Sequence, residues 1–278
     1  MKRSDKTGTS MFRNMALIGA FLVLVGCALP GSATEPDCIF TFASGGGGPN
    51  LQFCVSSNGT LVNLEMSNGW ELIEQYVGNG GLEEGAEGYG LCNESPPQAY
   101  SNFENDTNGS TNWGTSTVLS HSATAVKIAR TTSDGVWTLT QTFTADTTTP
   151  AVKLAMVLKN NTKVDRVAYL TRWVGVNAGN WNYSSTHDRA FAWNQSIPVD
   201  RLGFGLMLQN EGMPQFGFMN TYVWYEFGGG PPNPCNFAGG AVDMPLVNTA
   251  YGSMAIAYVD TVAAKKSKTV TLEYNGMY

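Results

Sequence analysis

The segment NWNYSSTHDRAFAWNQS, Asn180 to Ser196, is the densest concentration of chemically capable side chains in the chain. It holds Trp181, Tyr183, His187, Asp188, Arg189 and Trp193. Indole and phenol rings offer flat faces on which the C–H side of a sugar can stack, and neighbouring carboxylate, guanidinium and amide groups can pair with hydroxyls. These six residues are the candidate ligand contacts, with carbohydrate or a cell-surface polymer as the partner. The competing expectation is that the aromatic rings fill a β-core and cap a loop, because such rings dominate cores as well as sites.

A second stretch, Glu104-Asn105-Asp106-Thr107-Asn108-Gly109, sets acidic or amide oxygens at alternate positions ahead of a glycine. That is the early spacing of a calcium loop, with Glu104, Asp106 and Asn108 as candidate ligands of a structural calcium ion. Thr115 stands where the late bidentate glutamate belongs, and Asn-rich turns produce such spacings without a metal. No other cofactor is expected.

Catalytic signatures are absent. There is no G-x-S-x-G and no H-E-x-x-H, and SGGGGP lacks the Lys-Ser/Thr of a phosphate-cradling loop. His187 and Asp188 are adjacent in sequence, whereas the members of a triad meet in space. An enzyme would have to join His187 to a carboxylate such as Glu226, in WYEF, for acid and base work. No residue is assigned a catalytic role.

The positioning elements begin with the cysteines. Cys38, Cys54, Cys92 and Cys235 form an even set that, in an exported chain, implies two disulfides with three possible connectivities. If Ile39–Ala43 and Leu51–Val55 form a hairpin across SGGGGPN, Cys38 falls nearly opposite Cys54, which predicts a bridge between them. Cys92 and Cys235 are then left to tie two long loops together.

The fifth cysteine, Cys27, belongs to the leader. The apolar run Met15 to Gly26 follows Arg13 and is shorter than the roughly 20 residues of a spanning helix, so it reads as a secretory h-region. Leu24-Val25-Gly26-Cys27 resembles a bacterial lipobox, which predicts lipidation at Cys27. Gly31-Ser32-Ala33 offers the alternative of ordinary signal peptidase and a soluble secreted form. Residues 1–33 are therefore read as a signal segment and 34–278 as one domain. The expected location is extracytoplasmic, at a bacterial cell envelope or outside it, with the membrane touched only through the lipid. Loss of residues 1–33 leaves twelve basic against twenty-one acidic side chains. Such a balance disfavours nucleic acid and anionic lipid headgroups as partners.

Alternation with a period of two recurs along the rest of the chain: Val62, Leu64 and Met66; Trp137, Leu139 and Phe143; Val152, Leu154, Met156 and Leu158; Met254, Ile256 and Tyr258; Val270, Leu272 and Tyr274. Asn58-Gly59, Asn68-Gly69 and Asn160-Asn161 supply turn chemistry between them. The fold class expected is all-β, a large antiparallel two-sheet sandwich of about a dozen strands with few or no helices beyond the leader. Gly78 to Trp113, Gly179 to Arg201 and Gly228 to Asn236 resist strand assignment and are expected as long loops.

This many-stranded pattern is similar, at the level of fold, to the large sandwiches of the galactose-mutarotase type and their carbohydrate-active relatives. The resemblance rests on strand count and carries no residue across. The leading expectation is a non-catalytic, exported or lipid-anchored sandwich that binds carbohydrate or a surface polymer. The alternatives are a sugar-active enzyme on a mutarotase-like sandwich and a structural surface protein.

Overall fold

From Trp137 to Ala145 the chain alternates buried and half-buried residues without a break, as a strand wetted on one side requires. The structure, a computed structural model, describes residues 38–46, 50–67, 69, 71–74, 87–103, 110–176, 181–194, 205–216, 218–224, 233–238, 247–249 and 253–277. All of these fall within the unit Thr34–Tyr278. Among them the chain forms an all-β sandwich in which neighbouring strands run antiparallel.

The largest sheet has nine strands: β8 (Trp113–His121), β9 (Ala125–Thr132), β10 (Trp137–Ala145), β11 (Ala151–Asn160), β13 (Trp181–Thr186), β14 (Arg189–Asn194), β15 (Gly205–Asn210), β17 (Val247–Thr249) and β19 (Ser267–Met277). Their order across the sheet is β17-β13-β14-β15-β19-β11-β10-β9-β8. A six-stranded sheet is built from β5 (Glu87–Asn93), β6 (Gln98–Phe103), β7 (Ser110–Thr111), β12 (Arg166–Gly175), β16 (Phe218–Trp224) and β18 (Ser253–Val262), in the order β16-β18-β12-β5-β6-β7. A third sheet runs β1 (Phe40–Ser44), β2 (Leu51–Val55), β3 (Leu61–Met66) and β4 (Glu71–Glu74) in sequence order. Leu154, Met156 and Leu272 of the first sheet, Leu91, Leu170 and Ile256 of the second, and Phe53 and Leu64 of the third share one buried core. Removal of this apolar surface from water is what holds the layers together.

Nineteen strands among the described residues exceed the dozen expected, because two of the predicted loops contain strands. The stretch Gly78 to Trp113 contributes β5, β6 and β7. Every residue of β5 is buried, so the strand shows no alternation to read. Its glycines are imposed by close packing. A Cβ on Gly88 would lie 2.2 Å from the Asn102 carbonyl oxygen, and one on Gly90 would lie 2.9 Å from Pro234 Cβ. The stretch Gly179 to Arg201 contributes the β13–β14 hairpin. In the third stretch, Pro234–Ala238 forms a 3-10 helix. One face assignment also changes. The register shifts where β3 meets its neighbours, so Leu61 takes the buried position expected of Val62, which is only half-buried.

Both expected disulfides form, Cys38 to Cys54 and Cys92 to Cys235. The second joins β5 to the 3-10 helix rather than one loop to another, and it pins that helix beside Thr171 and Gly90 on the outer side of the six-stranded sheet. Phe103, Trp173, Ala255 and Ala257 form a small separate apolar cluster. The disulfides fit an oxidising, extracytoplasmic location. Among the described residues no helix is long and apolar enough to cross a membrane.

Candidate functional site

The aromatic segment is a tight hairpin, not a loop. Tyr183 pairs with Ala192 and Asn182 with Trp193, while Thr186 and Arg189 close the hairpin at the His187-Asp188 turn. Because side chains alternate across a strand, this register separates residues that the sequence groups together. Tyr183 points into the core and is fully buried, and burial pushes its hydroxyl well above the usual phenol range. It is therefore removed from the set of contacts. Trp193 and Arg189 lie half-buried on the opposite, outer face, and His187 is exposed at the turn. Trp181 enters β13 opposite Asn194.

Arg189 donates to both carboxylate oxygens of Asp188, from Nε at 3.1 Å and from Nη2 at 3.0 Å. These hydrogen bonds hold Asp188 below the ordinary carboxylate range and Arg189 above its own. Both side chains remain more than two-fifths exposed. Exposed pairs of this kind stabilise a fold by about 1 kcal/mol at most.

Sheet register brings to these residues partners that no linear reading finds. Arg189 is opposite Gln209, Gln209 opposite Glu273, and Glu273 opposite Lys153, a polar row across β14, β15, β19 and β11. The next row along the strands runs Ser184, Phe191, Met207 and Asn275. The third runs Asn182, Trp193, Gly205 and Met277. With strands about 4.8 Å apart and alternate residues about 6.8 Å apart, three rows spread over five strands span roughly 19 by 14 Å. One end of this patch is apolar and aromatic, and the other is charged.

Glu273 is the anchor of the polar row. It is only 5% exposed, and its Oε2 accepts from Gln209 Nε2 at 2.9 Å and from Asn275 Nδ2 at 3.1 Å. Lys153 Nζ lies 3.2 Å from Asp146, 3.9 Å from Glu273 and 4.0 Å from Glu211. Burial, and then a hydrogen bond shared with Glu273, push the Glu211 carboxyl above its ordinary range. At the apolar end, Asn182 is buried and its Oδ1 has no hydrogen-bond partner among the described residues. An unpaired buried acceptor costs about 1–3 kcal/mol.

A second polar constellation, also missed by sequence, lies between the sheets. Arg172 of β12 donates from Nη2 to Glu87 Oε2 at 2.7 Å, from Nη1 to Gln141 Oε1 at 2.6 Å and from Nε to the Tyr274 hydroxyl at 3.0 Å. The Leu61 amide also donates to Glu87 Oε2, at 2.7 Å. Burial pushes the Glu87 carboxyl above its ordinary range, against the opposing pull of the Arg172 charge, the Tyr274 hydroxyl and the Leu61 amide. Burial opposes the charge of Arg172, and Glu87 and Tyr274 more than offset it, holding the guanidinium above its ordinary value. Neither Arg172 nor Glu87 side chain has any exposure, so this cluster fastens the layers together and meets no ligand. One signal for it was present: Gln141 interrupts the apolar face of Trp137, Leu139 and Phe143.

The candidate calcium ligands Glu104, Asp106 and Asn108, the candidate base Glu226, and Cys27 with the whole leader lie outside the described residues.

No protein-family model matches the chain, and no curated protein matches it in sequence. Solved structures do resemble it. A galactose mutarotase-like protein from Lactobacillus casei aligns with a TM-score of 0.51 at 9% identity, over 85% of this chain and 100% of that one. A protein from Synechocystis sp. PCC 6803 aligns with a TM-score of 0.51 at 8% identity, over 87% of this chain and 97% of that one. At such identities the similarity is one of fold alone and transfers no residue.

Proposed function

We propose that the protein binds carbohydrate on the outer face of the nine-stranded sheet, over the patch that runs from Trp193 to Glu273. The observation that carries this reading is the gradient across the patch. Trp193, Phe191, Met207 and Met277 offer apolar surface, while Arg189, Gln209, Glu273 and Lys153 offer hydrogen-bonding and charged groups a few ångströms further along the same strands. A sugar ring has the same division between C–H faces and hydroxyl edges. The protein is, on this reading, exported and either lipid-anchored at Cys27 or released after Ala33, with its two disulfides in support.

The fold similarity to a galactose mutarotase-like protein makes D-galactose the first probe. Calorimetric titration with D-galactose, together with a glycan array, should detect binding by the wild type. Trp193→Ala should weaken it by about tenfold or more while the variant stays folded. Absence of any glycan binding by the wild type would overturn the proposal.

A second reading, an enzyme acting on sugars, is favoured by the Glu211 and Glu273 carboxyls. Burial and a hydrogen bond shared with Glu273 raise the Glu211 carboxyl, and a raised carboxyl is what a general acid needs. Polarimetry of anomer interconversion separates the two readings. A rate above the uncatalysed one, lost in Glu273→Gln, would establish the enzyme.

A further inference from the structure

Positive charge gathers at one end of the sandwich. Six of the twelve basic residues that follow the leader, Lys159, Lys163, Arg166, Lys265, Lys266 and Lys268, lie on the β11–β12 turn, the β18–β19 turn and the strand ends that enter them. One buried side chain fastens the two turns together. Asn160, with no exposure, donates from Nδ2 to the Val164 carbonyl at 2.8 Å and to the Val262 carbonyl at 2.9 Å, and its backbone amide donates to the Lys266 carbonyl at 2.9 Å. Lys159 is opposite Ser267, beside Lys266. Lys159, Lys163, Lys265 and Lys266 are exposed, and none of the four makes an ion pair among the described residues. Four carboxylates lie near them among the described residues. Asp260 pairs with Lys268, Asp165 accepts from the Ala264 amide at 2.8 Å, Asp134 from the Tyr100 hydroxyl at 2.6 Å, and Glu94 from the Tyr169 hydroxyl at 3.0 Å. Six basic against four acidic groups leave this end positive in a chain that is otherwise strongly acidic.

We propose that this end is a second binding surface, which holds an acidic polysaccharide by the carboxylates on its rings. The net negative charge of the chain does not oppose it. Asp146, Glu211 and Glu273 gather around Lys153 at the other end of β11. Lys153 and Lys159 stand about 20 Å apart along that strand. The Debye length is about 8 Å at physiological ionic strength, so the field of the distant carboxylates is screened at the lysine turns. All four exposed cations are lysines. Compact ammonium groups on flexible stems take carboxylates from any direction along an irregular polymer, whereas the arginine fork suits fixed bidentate sites. The position of β1 favours a polymer over lipid headgroups. β1 meets the far end of the same strands, where the Phe40 and His121 ring centroids are 4.9 Å apart and the Gly45 amide donates to the Asp146 carbonyl at 2.8 Å. On the lipid-anchored reading, a tether ahead of β1 therefore turns the lysine end outward, away from the membrane.

The experiment is equilibrium binding of the full chain to polygalacturonate, with neutral dextran as the control, at about 50 mM and about 500 mM NaCl. The wild type should prefer polygalacturonate to dextran and lose that preference at the higher salt. Lys163→Glu combined with Lys266→Glu should weaken binding by about tenfold or more at the lower salt, with the melting temperature unchanged. Lys163→Gln combined with Lys266→Gln removes charge without reversing it and should weaken binding by about threefold or more, which decides the matter if the first variant does not fold. Trp193→Ala, which disables the sugar patch, should keep the preference. No preference in the wild type, or a preference that the lysine variants retain, would overturn the proposal and leave the reading at Trp193 standing. Binding to phosphatidylglycerol vesicles that the lysine variants lose, with none to polygalacturonate, would assign the surface to lipid headgroups and overturn it as well.

Discussion

Arg172 and Glu87 form an ion pair in which neither side chain is exposed, and Tyr274, from the opposite sheet, hydrogen-bonds to both. Gln141 and the carbonyl of Gly59 complete the shell, so strands from two sheets and the β2–β3 turn of the third converge on one guanidinium. Gly59 has a φ of 81°, and a Cβ there would stand 2.5 Å from the Gln141 amide nitrogen, so the turn is shaped by the cluster it covers.

Removal of one partner should be costly. Arg172→Met leaves a buried carboxylate without its counter-charge and should destabilise the fold by about 3–5 kcal/mol in urea denaturation. Arg172→Met combined with Glu87→Leu should cost clearly less than the two single changes added together, because the double variant leaves no lone charge behind. Strict additivity would show that the pair is not coupled.

Trp137 and Trp193 should respond differently to truncation. Trp137 has no exposure, and its alanine variant should lose about 3–5 kcal/mol through lost transfer energy and a residual cavity. Trp193 is half-buried on the outer face, and its alanine variant should lose about 1 kcal/mol. Equal losses would place Trp193 in the core and remove it as a ligand contact.

Acid should weaken the fold partly through Asp146. Its carboxylate accepts from the Thr148 hydroxyl and amide, each at 2.7 Å, and from the Thr149 amide at 3.0 Å, and these bonds hold it well below the ordinary range. A group depressed in the folded state contributes stability above its unfolded value of about 3.9 and loses it as pH falls toward the lower folded value. Melting temperature should therefore drop below about pH 4, with a shallower drop in Asp146→Asn. A variant with an unchanged pH profile would assign the acid sensitivity elsewhere, to Asp134 and Asp188, which are depressed in the same direction.

The two disulfides should differ in weight. Cys92 and Cys235 are separated by 143 residues and Cys38 and Cys54 by 16. In the loop-entropy account the long closure contributes about 5 kcal/mol and the short one about 3. Serine pairs at Cys92 and Cys235 should lower the melting temperature more than serine pairs at Cys38 and Cys54. The reverse order would mean that packing of the 3-10 helix holds that segment without the bond.

The sequence by itself determined the features that depend on near neighbours. The period-two runs of β10, β11, β18 and β19 gave their buried faces, because a strand covered on one side must alternate. The expected hairpin of β1 and β2 brought Cys38 near Cys54, although its register sets Cys54 opposite Thr41, and parity then left Cys92 for Cys235. The segment from Trp181 to Trp193 was legible as chemically rich but not as a geometry. Its hairpin register sends Tyr183 inward and Trp193 outward, and a shift of one residue would have exchanged them. β5 was illegible because it is buried on both faces, which erases alternation and favours the glycines that elsewhere mark loops. Tertiary structure alone decided that Arg189 shares a row with Glu273 and Lys153, and that Arg172 meets Glu87, Tyr274 and Gln141. Those relationships depend on the pairing of strands distant in sequence and on the packing of one sheet against another. Both are set by the burial of the whole core rather than by any local pattern.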